Sequence, residues 1–462
     1  MLTETARVWR RGFVRALIGI ALFASVGGME QPPGASGLKI SIRQETGDGL
    51  RVTYDLERSQ RALGFNKIRG GYHELFWTIE TSGFQLVKKR GQIWIERLDG
   101  KRFSNVVVTA APADRRLSKQ YQPISRYGDG GLMVYTGHFW PVSIRGQRLD
   151  AVFNFHPLAD SKVVTFGEHE PALMDWRSPM NHPSFVYMGP LEPVETVDVM
   201  AVVDPDAPQW IIDEFYELTP RAFEHLSKEF GYSLTTKPNL FLAAPLGDEE
   251  GRLRFAGDAL PGQFQVTLAG AAWNNRTEQA LNIFRSSTVH EAVHLWQAPA
   301  RPVGGEIASW IHEGAADAIA AETLLAINYW DRLEYAKYFV GAREECAKGL
   351  KYGSLASAER RYSYRALYAC GHVIAEAVSI AEDKPVADFW RALVMQAQNE
   401  NGYSEDTYFD LVMNRTGDAD FVEKLRDFVR TPLANPDREI GRLLATAHNA
   451  SQTDPLAPTG AR

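Results

Sequence analysis

The chain has 462 residues, of which 45% are hydrophobic and 23% are charged, and it carries a formal net charge of −7 at pH 7. This length exceeds that of one average domain, so we expect two domains and terminal tails. The apolar content is typical of a globular protein, and the negative net charge argues against a nucleic-acid partner. The sequence contains no Walker loop, no Rossmann glycine pattern and no basic stripe.

The N-terminus shows the order of features that is typical of a secretory signal peptide. Arg7, Arg10, Arg11 and Arg15 precede an apolar run over residues 16–26, and small and turn residues follow. The apolar run is shorter than the roughly 20 residues that a membrane span needs. We therefore predict a signal peptide over residues 1–28, no stable membrane span in the mature chain, and a secreted or bacterial periplasmic location. The alternative is a protein anchored by an uncleaved N-terminal segment.

The rest of the chain divides by its hydrophobic pattern. Apolar and polar residues alternate over 38–42, 51–56 and 92–97, and Gly-Asp turns separate these stretches, which predicts an all-β domain over residues 38–200. Apolar residues then recur at helical spacing from Ile211 to Leu226, and residues 237–246 and 263–268 are predicted strands. This pattern predicts a second domain over 201–435. After about residue 432 we expect a short helix and a polar C-terminal tail, 436–462, that is disordered.

The clearest chemistry lies in His290, Glu291 and His294, which form the pattern H-E-x-x-H. The stretch 277–297 contains no Pro or Gly, and Asn275 with Glu278 predicts a capping box at its start. Residues four apart lie on one face of a helix, so the two imidazoles can bind one metal ion. Glu291, beside the first histidine, is the candidate general base that takes a proton from a metal-activated water.

Two acidic residues on a second predicted helix, residues 306–325, complete this site. A catalytic zinc typically has three protein ligands and an open fourth position, and Glu313 follows His294 by nineteen residues. Asp317 lies one helical turn further, where a carboxylate can accept the free ring N–H of a ligand histidine. We predict one Zn²⁺ per chain, held by His290, His294 and Glu313. The alternative for Asp317 is an ordinary solvated charge.

The spacing of H-E-x-x-H, eighteen residues and then Glu within Trp-Ile-His-Glu-Gly resembles the gluzincin zinc metallopeptidases, in particular the leucyl/alanyl and glycyl aminopeptidases. The resemblance covers about residues 204–380. It implies an α+β fold, in which an all-β domain precedes a thermolysin-like zincin catalytic domain. It also implies a tyrosine in a Tyr-x-x-Gly segment that stabilises the oxyanion, and Tyr368 matches that segment. His312 and His372 are the alternative donors.

One feature of these families is missing upstream of the zinc helix. The aminopeptidases carry a Gly-x-Met-Glu-Asn edge strand whose glutamate holds the free amine of the substrate, and no such sequence precedes His290. The segment there reads Gly257-Asp258-Ala259-Leu260, and Asp258 is out of place in the obvious alignment. The resemblance therefore implies a peptide or protein substrate, and it leaves open whether the enzyme is an aminopeptidase or an endopeptidase.

These residues predict a zinc-dependent hydrolase, most readily a peptidase. The alternatives are a degenerate zincin-fold binding module of the cell envelope and a zinc hydrolase of a non-peptide substrate. Glu291 weighs against the binding module, which has no use for a general base. The two cysteines, Cys346 and Cys370, lie twenty-four residues apart and predict a disulfide in an oxidising compartment. Two buried free thiols are the alternative for this pair.

Overall fold

The computed structural model of the protein describes residues 37–68, 70–113, 117, 120–247, 251–300, 308–400 and 402–452. The predicted signal peptide, residues 1–28, lies outside the described residues. From Gly37 onward the chain forms one compact unit, in which a β-rich part is followed by a mixed sheet and a mostly helical part. Among the described helices, none is long and apolar enough to cross a membrane.

The β-rich part contains fourteen described strands and one short helix. They are β1 Leu38–Gln44, β2 Leu50–Gln60, β3 Ala62–Asn66, α1 Tyr72–Phe76, β4 Trp77–Ile79, β5 Phe84–Lys89, β6 Gln92–Arg97, β7 Phe103–Ala110, β8 Ile124–Arg126, β9 Leu132–Tyr135, β10 Val152–His156, β11 Lys162–Thr165, β12 Glu168–Glu170, β13 Leu173–Trp176 and β14 Phe185–Gly189. Three sheets result, in the orders β13-β10-β1-β2-β7-β4, β12-β11-β14-β9-β8 and β3-β6-β5.

The alternation of apolar and polar residues explains why these segments form strands. In β1 the side chains of Leu38, Ile40 and Ile42 are buried, and those between them are partly or fully exposed. β2 pairs with β1 in antiparallel register and repeats the pattern, so one face of the sheet packs on a core. The strands predicted at 38–42, 51–56 and 92–97 are all present.

A five-stranded mixed sheet follows. It consists of β15 Val194–Glu195, β16 Met200–Val203, β17 Asn239–Ala243, β18 Arg254–Leu260 and β19 Gln263–Ala269. Its order is β15-β16-β17-β19-β18, in which β16, β17 and β19 are parallel and the two edge strands, β15 and β18, are antiparallel to their neighbours. The domain boundary predicted at residue 200 lies between β15 and the end of β16, within the first strands of this sheet.

The helical part surrounds one face of this sheet. Its described helices are α2 Gln209–Phe230, α3 Glu278–Gln297, α4 Ser309–Ala326, α5 Arg332–Leu350, α6 Tyr364–Glu382, α7 Val386–Glu400, α8 Glu405–Thr416, α9 Ala419–Arg430 and α10 Pro436–Gln452. They share one hydrophobic core with the sheet. The central helices are α3, α4 and α6, whose residues pack closely on one another. The start predicted for α4, residue 306, lies outside the described part of the chain.

Two local predictions are wrong. The N-cap of α3 is Thr277, whose hydroxyl accepts a hydrogen bond from Ala280 N, so the capping box at Asn275 does not form. The predicted disordered tail is also wrong over 436–452, where α10 packs against α6 through a buried apolar stripe that includes Ile440 and Leu443. The polar residues on the other face of α10 hid this stripe. Residues 453–462 lie outside the described part of the chain.

Cys346 of α5 and Cys370 of α6 form a disulfide, as predicted. The two cysteines are twenty-four residues apart in sequence, and the bond links α5 to α6, the helix that carries Tyr368. In the loop-entropy model, a closed loop of this length lowers the free energy of the folded relative to the unfolded chain by about 3–4 kcal/mol.

We expect replacement of both cysteines by serine to lower the free energy of unfolding by about that amount, measured by urea titration. Thiol labelling of the denatured, unreduced wild-type protein is expected to detect no free cysteine. Two labelled thiols in protein from an oxidising compartment would contradict the pairing.

Candidate active site

The residues of the H-E-x-x-H pattern lie in the buried second half of α3. His290 and His294 are one turn apart on the helix, and only 6% and 5% of their surfaces are exposed. Glu291 is also buried. α3 packs between the mixed sheet and α4, and α4 presents Glu313 to the two histidines. Residues from two helices therefore meet at one buried point.

The three predicted ligand atoms form a nearly equilateral triangle. His290 Nε2 and His294 Nε2 are 3.1 Å apart. Glu313 Oε2 is 3.3 Å from the first nitrogen and 3.4 Å from the second. Ligands at about 2.05 Å from a tetrahedral zinc lie about 3.3 Å from one another. The spacing of the donor atoms thus fits Zn²⁺, and among the described residues this is the one such group of three.

The hydrogen bonds behind the histidines determine which nitrogen carries each proton. His290 Nδ1 lies 2.7 Å from Asp317 Oδ1, and His294 Nδ1 lies 2.7 Å from Gln297 Oε1. The carboxylate can only accept a hydrogen bond. The oxygen of Gln297 also accepts, because its Nε2 donates to the backbone carbonyl of His312. Both imidazoles therefore donate through Nδ1 and direct the lone pairs of Nε2 at one another, which is favourable only with a cation between them.

The pKa values of these groups show that the site favours a positive charge. Burial alone lowers the pKa of His290, but the charge of Asp317 and the hydrogen bond to it hold that pKa well above its usual range, so without a metal the ring takes up a proton that a bound metal ion would replace. Burial also raises the pKa of Glu313, but hydrogen bonds from His290, His294 and His312 outweigh it and hold the pKa well below its usual range. Glu313 is therefore a carboxylate at neutral pH, as a metal ligand must be.

Two glycines bring Tyr368 to this triangle. Gly314 of α4 lies directly against Gly371 of α6, and a Cβ atom on either residue would overlap the backbone of the other helix. This close crossing places the turn before Gly371 over the ligand helices. The ring of Tyr368 consequently stacks on the ring of His290, with centroids 5.7 Å apart. Gly314, which follows the candidate ligand Glu313, and Gly371, the glycine of Tyr-x-x-Gly, thus both allow α4 and α6 to cross at this short distance.

The hydroxyl of Tyr368 is held in its protonated form. Burial raises the pKa of Tyr368 well above its usual value, and the negative charges of Glu313, Glu291 and Asp317 raise it further. A phenol that keeps its proton can donate a hydrogen bond to a developing oxyanion. His372, one of the alternative donors, instead packs against Tyr338 and Phe339, and its Nε2 faces Glu376 Oε1 at 3.5 Å.

The edge strand β18 contacts the candidate general base. A Cβ atom on Gly257 would overlap the carboxylate of Glu291, so the strand can lie this close only because it has a glycine there. Asp258 is the next residue, and its side chain points to the other face of the sheet, where it accepts a hydrogen bond from Gln265. The structure therefore places Gly257 at the site and turns the carboxylate of Asp258 away from Glu291.

The sequence reasoning missed Gln297 and Gly257. Gln297 could have been predicted from the sequence, because a residue three positions after a ligand histidine lies on the same helical face. Gly257 had no such signal, because only the pairing of β18 with β19 brings the strand beside α3.

Comparisons with solved structures reveal the same fold. An aminopeptidase N family protein from Idiomarina loihiensis matches with a TM-score of 0.63 and 15% identity, over 88% of this chain and 78% of that chain. A two-domain M1 zinc metallopeptidase bound to L-arginine matches at 0.51 and 14%, over 86% and 94%. Yeast LTA4 hydrolase in complex with bestatin matches at 0.52 and 10%, over 86% and 68%. No protein-family model and no curated protein sequence matches the chain.

These likenesses, at identities of 10–15%, concern the fold. The α+β fold predicted from the sequence, an all-β part before a zincin-like catalytic part, is confirmed. The fold is that of known zinc metallopeptidases, and it places the three candidate ligands and Glu291 in one buried group.

Proposed function

We propose that the protein is a zinc-dependent peptidase. The observation that carries this proposal is the triangle of His290 Nε2, His294 Nε2 and Glu313 Oε2, whose side lengths of 3.1–3.4 Å suit one tetrahedral Zn²⁺ per chain. The fold shared with M1 zinc metallopeptidases and LTA4 hydrolase supports the same conclusion. A secreted or periplasmic location belongs to this proposal, since the N-terminal sequence and the disulfide both favour it.

The chain's own residues supply the remaining chemistry. A Zn²⁺ held by His290, His294 and Glu313 would polarise the scissile carbonyl and lower the pKa of water towards neutrality. Asp317 and Gln297 hold the two ligand histidines in the tautomer that keeps Nε2 unprotonated. Glu291 accepts a proton from the attacking water and delivers it to the leaving amine. Tyr368 donates its hydroxyl hydrogen bond to the oxyanion of the tetrahedral intermediate.

The edge strand β18 favours a peptide over a small non-peptide substrate. An extended peptide can add to the edge of a sheet through backbone hydrogen bonds, and β18 is the last strand in the order of the mixed sheet. Gly257 of β18 lies against Glu291, so a peptide paired with this strand has its backbone beside the general base. The alternative binding module gains no advantage from that contact.

The test is hydrolysis of a mixed peptide library, with free and with blocked N-termini, by the protein loaded with Zn²⁺. Cleavage that stops after chelation and returns with Zn²⁺ supports the proposal. A preference for free N-termini identifies an aminopeptidase, and equal cleavage of blocked peptides identifies an endopeptidase. If the zinc-loaded wild type cleaves no peptide, the peptidase proposal is wrong.

We expect Tyr368→Phe to lower turnover by about 10²–10³-fold and to change substrate affinity little, because the donor acts mainly in the transition state. Only the hydroxyl is lost, so zinc content and fold should persist. Steady-state kinetics separates kcat from KM. The control is Tyr362→Phe, since the side chain of Tyr362 is 70% exposed. Full turnover in Tyr368→Phe would show that the oxyanion donor is another residue.

A further inference from the structure

His312 precedes the ligand Glu313 and lies behind its carboxylate. Only 7% of its surface is exposed. Its Nε2 is 3.5 Å from Glu313 Oε1, whereas the two ligand histidines face the other oxygen, Oε2. The two oxygens of this carboxylate therefore have different partners, because Oε2 faces the candidate metal position and Oε1 faces His312.

The contacts of His312 favour one tautomer. The Glu313 carboxylate has no proton to donate, so the arrangement with the ring proton on Nε2 is the favourable one, and the 3.5 Å separation is that of an electrostatic contact longer than an ordinary hydrogen bond. The opposite nitrogen, Nδ1, is then an acceptor, and the hydroxyl of Tyr403 lies 3.2 Å from it. Tyr403 is 4% exposed and immediately precedes the N-cap of α8, ninety-one residues further along the chain. A hydrogen bond donated by the Tyr403 hydroxyl thus favours the tautomer whose Nε2–H faces Glu313.

The backbone of His312 is also tied to the second ligand. Its carbonyl oxygen accepts a hydrogen bond of 3.1 Å from Gln297 Nε2, and Gln297 Oε1 accepts from His294 Nδ1. His312 thus contacts the candidate ligand Glu313 on α4 and, on α3, the glutamine that holds the candidate ligand His294. Its own Nε2 faces a carboxylate rather than the centre of the triangle, so His312 is not a fourth ligand.

We propose that His312 and Tyr403 form a positioning pair that orients Glu313 for zinc. This inference rests on the proposed function. The pair restricts the rotation of the Glu313 carboxylate and keeps Oε2 directed at the two histidines, so the ligand set is formed before the metal binds. Hydrogen-bond partners behind metal ligands typically change metal affinity by about 10–100-fold when they are removed.

The experiment measures the zinc affinity of the apo-protein by competition with a chelating dye, in the absence of any peptide. We expect His312→Leu, which lacks a donor, to bind Zn²⁺ about 10–100-fold more weakly than wild type. His312→Gln restores an N–H donor near Oε1 and should recover most of the affinity. Tyr403→Phe leaves Nδ1 without its donor and should fall between the two. The matched control is His372→Leu, which removes a buried imidazole of α6 that packs on Tyr338 and Phe339.

The outcomes separate this inference from the proposed function. Wild-type protein that binds no Zn²⁺ refutes the proposed function itself. Wild-type binding with an unchanged affinity in His312→Leu refutes only the positioning pair. Equal losses in His312→Leu and His312→Gln, or a loss in His372→Leu as large as in His312→Leu, attribute the effect to packing and also refute it. Circular dichroism of the apo-proteins excludes unfolding as the cause of a lost affinity.

Discussion

Replacement of Glu291 by Gln is expected to lower peptide turnover by about 10²–10⁴-fold while the protein keeps its zinc. A positioned general base contributes a factor of this size, and the amide of Gln cannot accept the proton of the attacking water. Glu291 is not one of the three residues of the ligand triangle, so the metal content should stay at one per chain. Elemental analysis and steady-state kinetics on the same sample check both parts.

A second variant displaces the carboxylate of Glu291 without replacing it. A Cβ atom on Gly257 would overlap the Glu291 carboxylate, so Gly257→Ala should force the base or the edge strand to move and should also reduce turnover. Gly262→Ala strains the turn between β18 and β19, because Gly262 has a φ of 75°, and so shows how far a disturbance of the hairpin alone lowers turnover. Full activity in Glu291→Gln would refute the general-base role, and the binding module becomes the better hypothesis if wild type and Glu291→Gln are equally inert.

The parts of the site that could be predicted depend on short-range helical geometry. His290, His294 and Glu291 lie within two turns of one helix, and Asp317 follows Glu313 by one turn, so spacing alone groups each set. The structure brings the two sets together through the crossing of α3 and α4. The strands of the β-rich part were predictable for a similar reason, because a period of two residues is visible within a single segment.

The remaining contacts could not be predicted because they depend on pairing between distant segments. Gly257 reaches Glu291 through the position of β18 at the edge of its sheet, and Tyr403 reaches His312 across ninety-one residues. The sequence of α10 is similar to that of a disordered tail because it is largely polar, and its few apolar residues become buried only when they pack against α6. The residues of the site that lie on one helix could thus be predicted from spacing, whereas those that come from distant segments could not.

The largest expected effect is that of removing a ligand. Both His294→Ala and Glu313→Ala leave two of three donors, and the lone pairs that face the centre lose the cation that they surround. We expect stoichiometric zinc and hydrolysis to be lost together, a larger effect than in Glu291→Gln, because each chemical step depends on the metal.

A second readout of this prediction does not depend on catalysis. Zinc at a free concentration of about 100 times its Kd stabilises the protein that binds it by about 2.7 kcal/mol, so the melting temperature of the wild type should rise on zinc addition. Neither ligand variant should respond. Glu322→Ala is the matched control, because Glu322 lies on the same helix as Glu313 but accepts its hydrogen bond from Val386 N of α7. It should keep its zinc and its thermal response. A ligand variant that retains one Zn²⁺ per chain would show that the metal is held elsewhere.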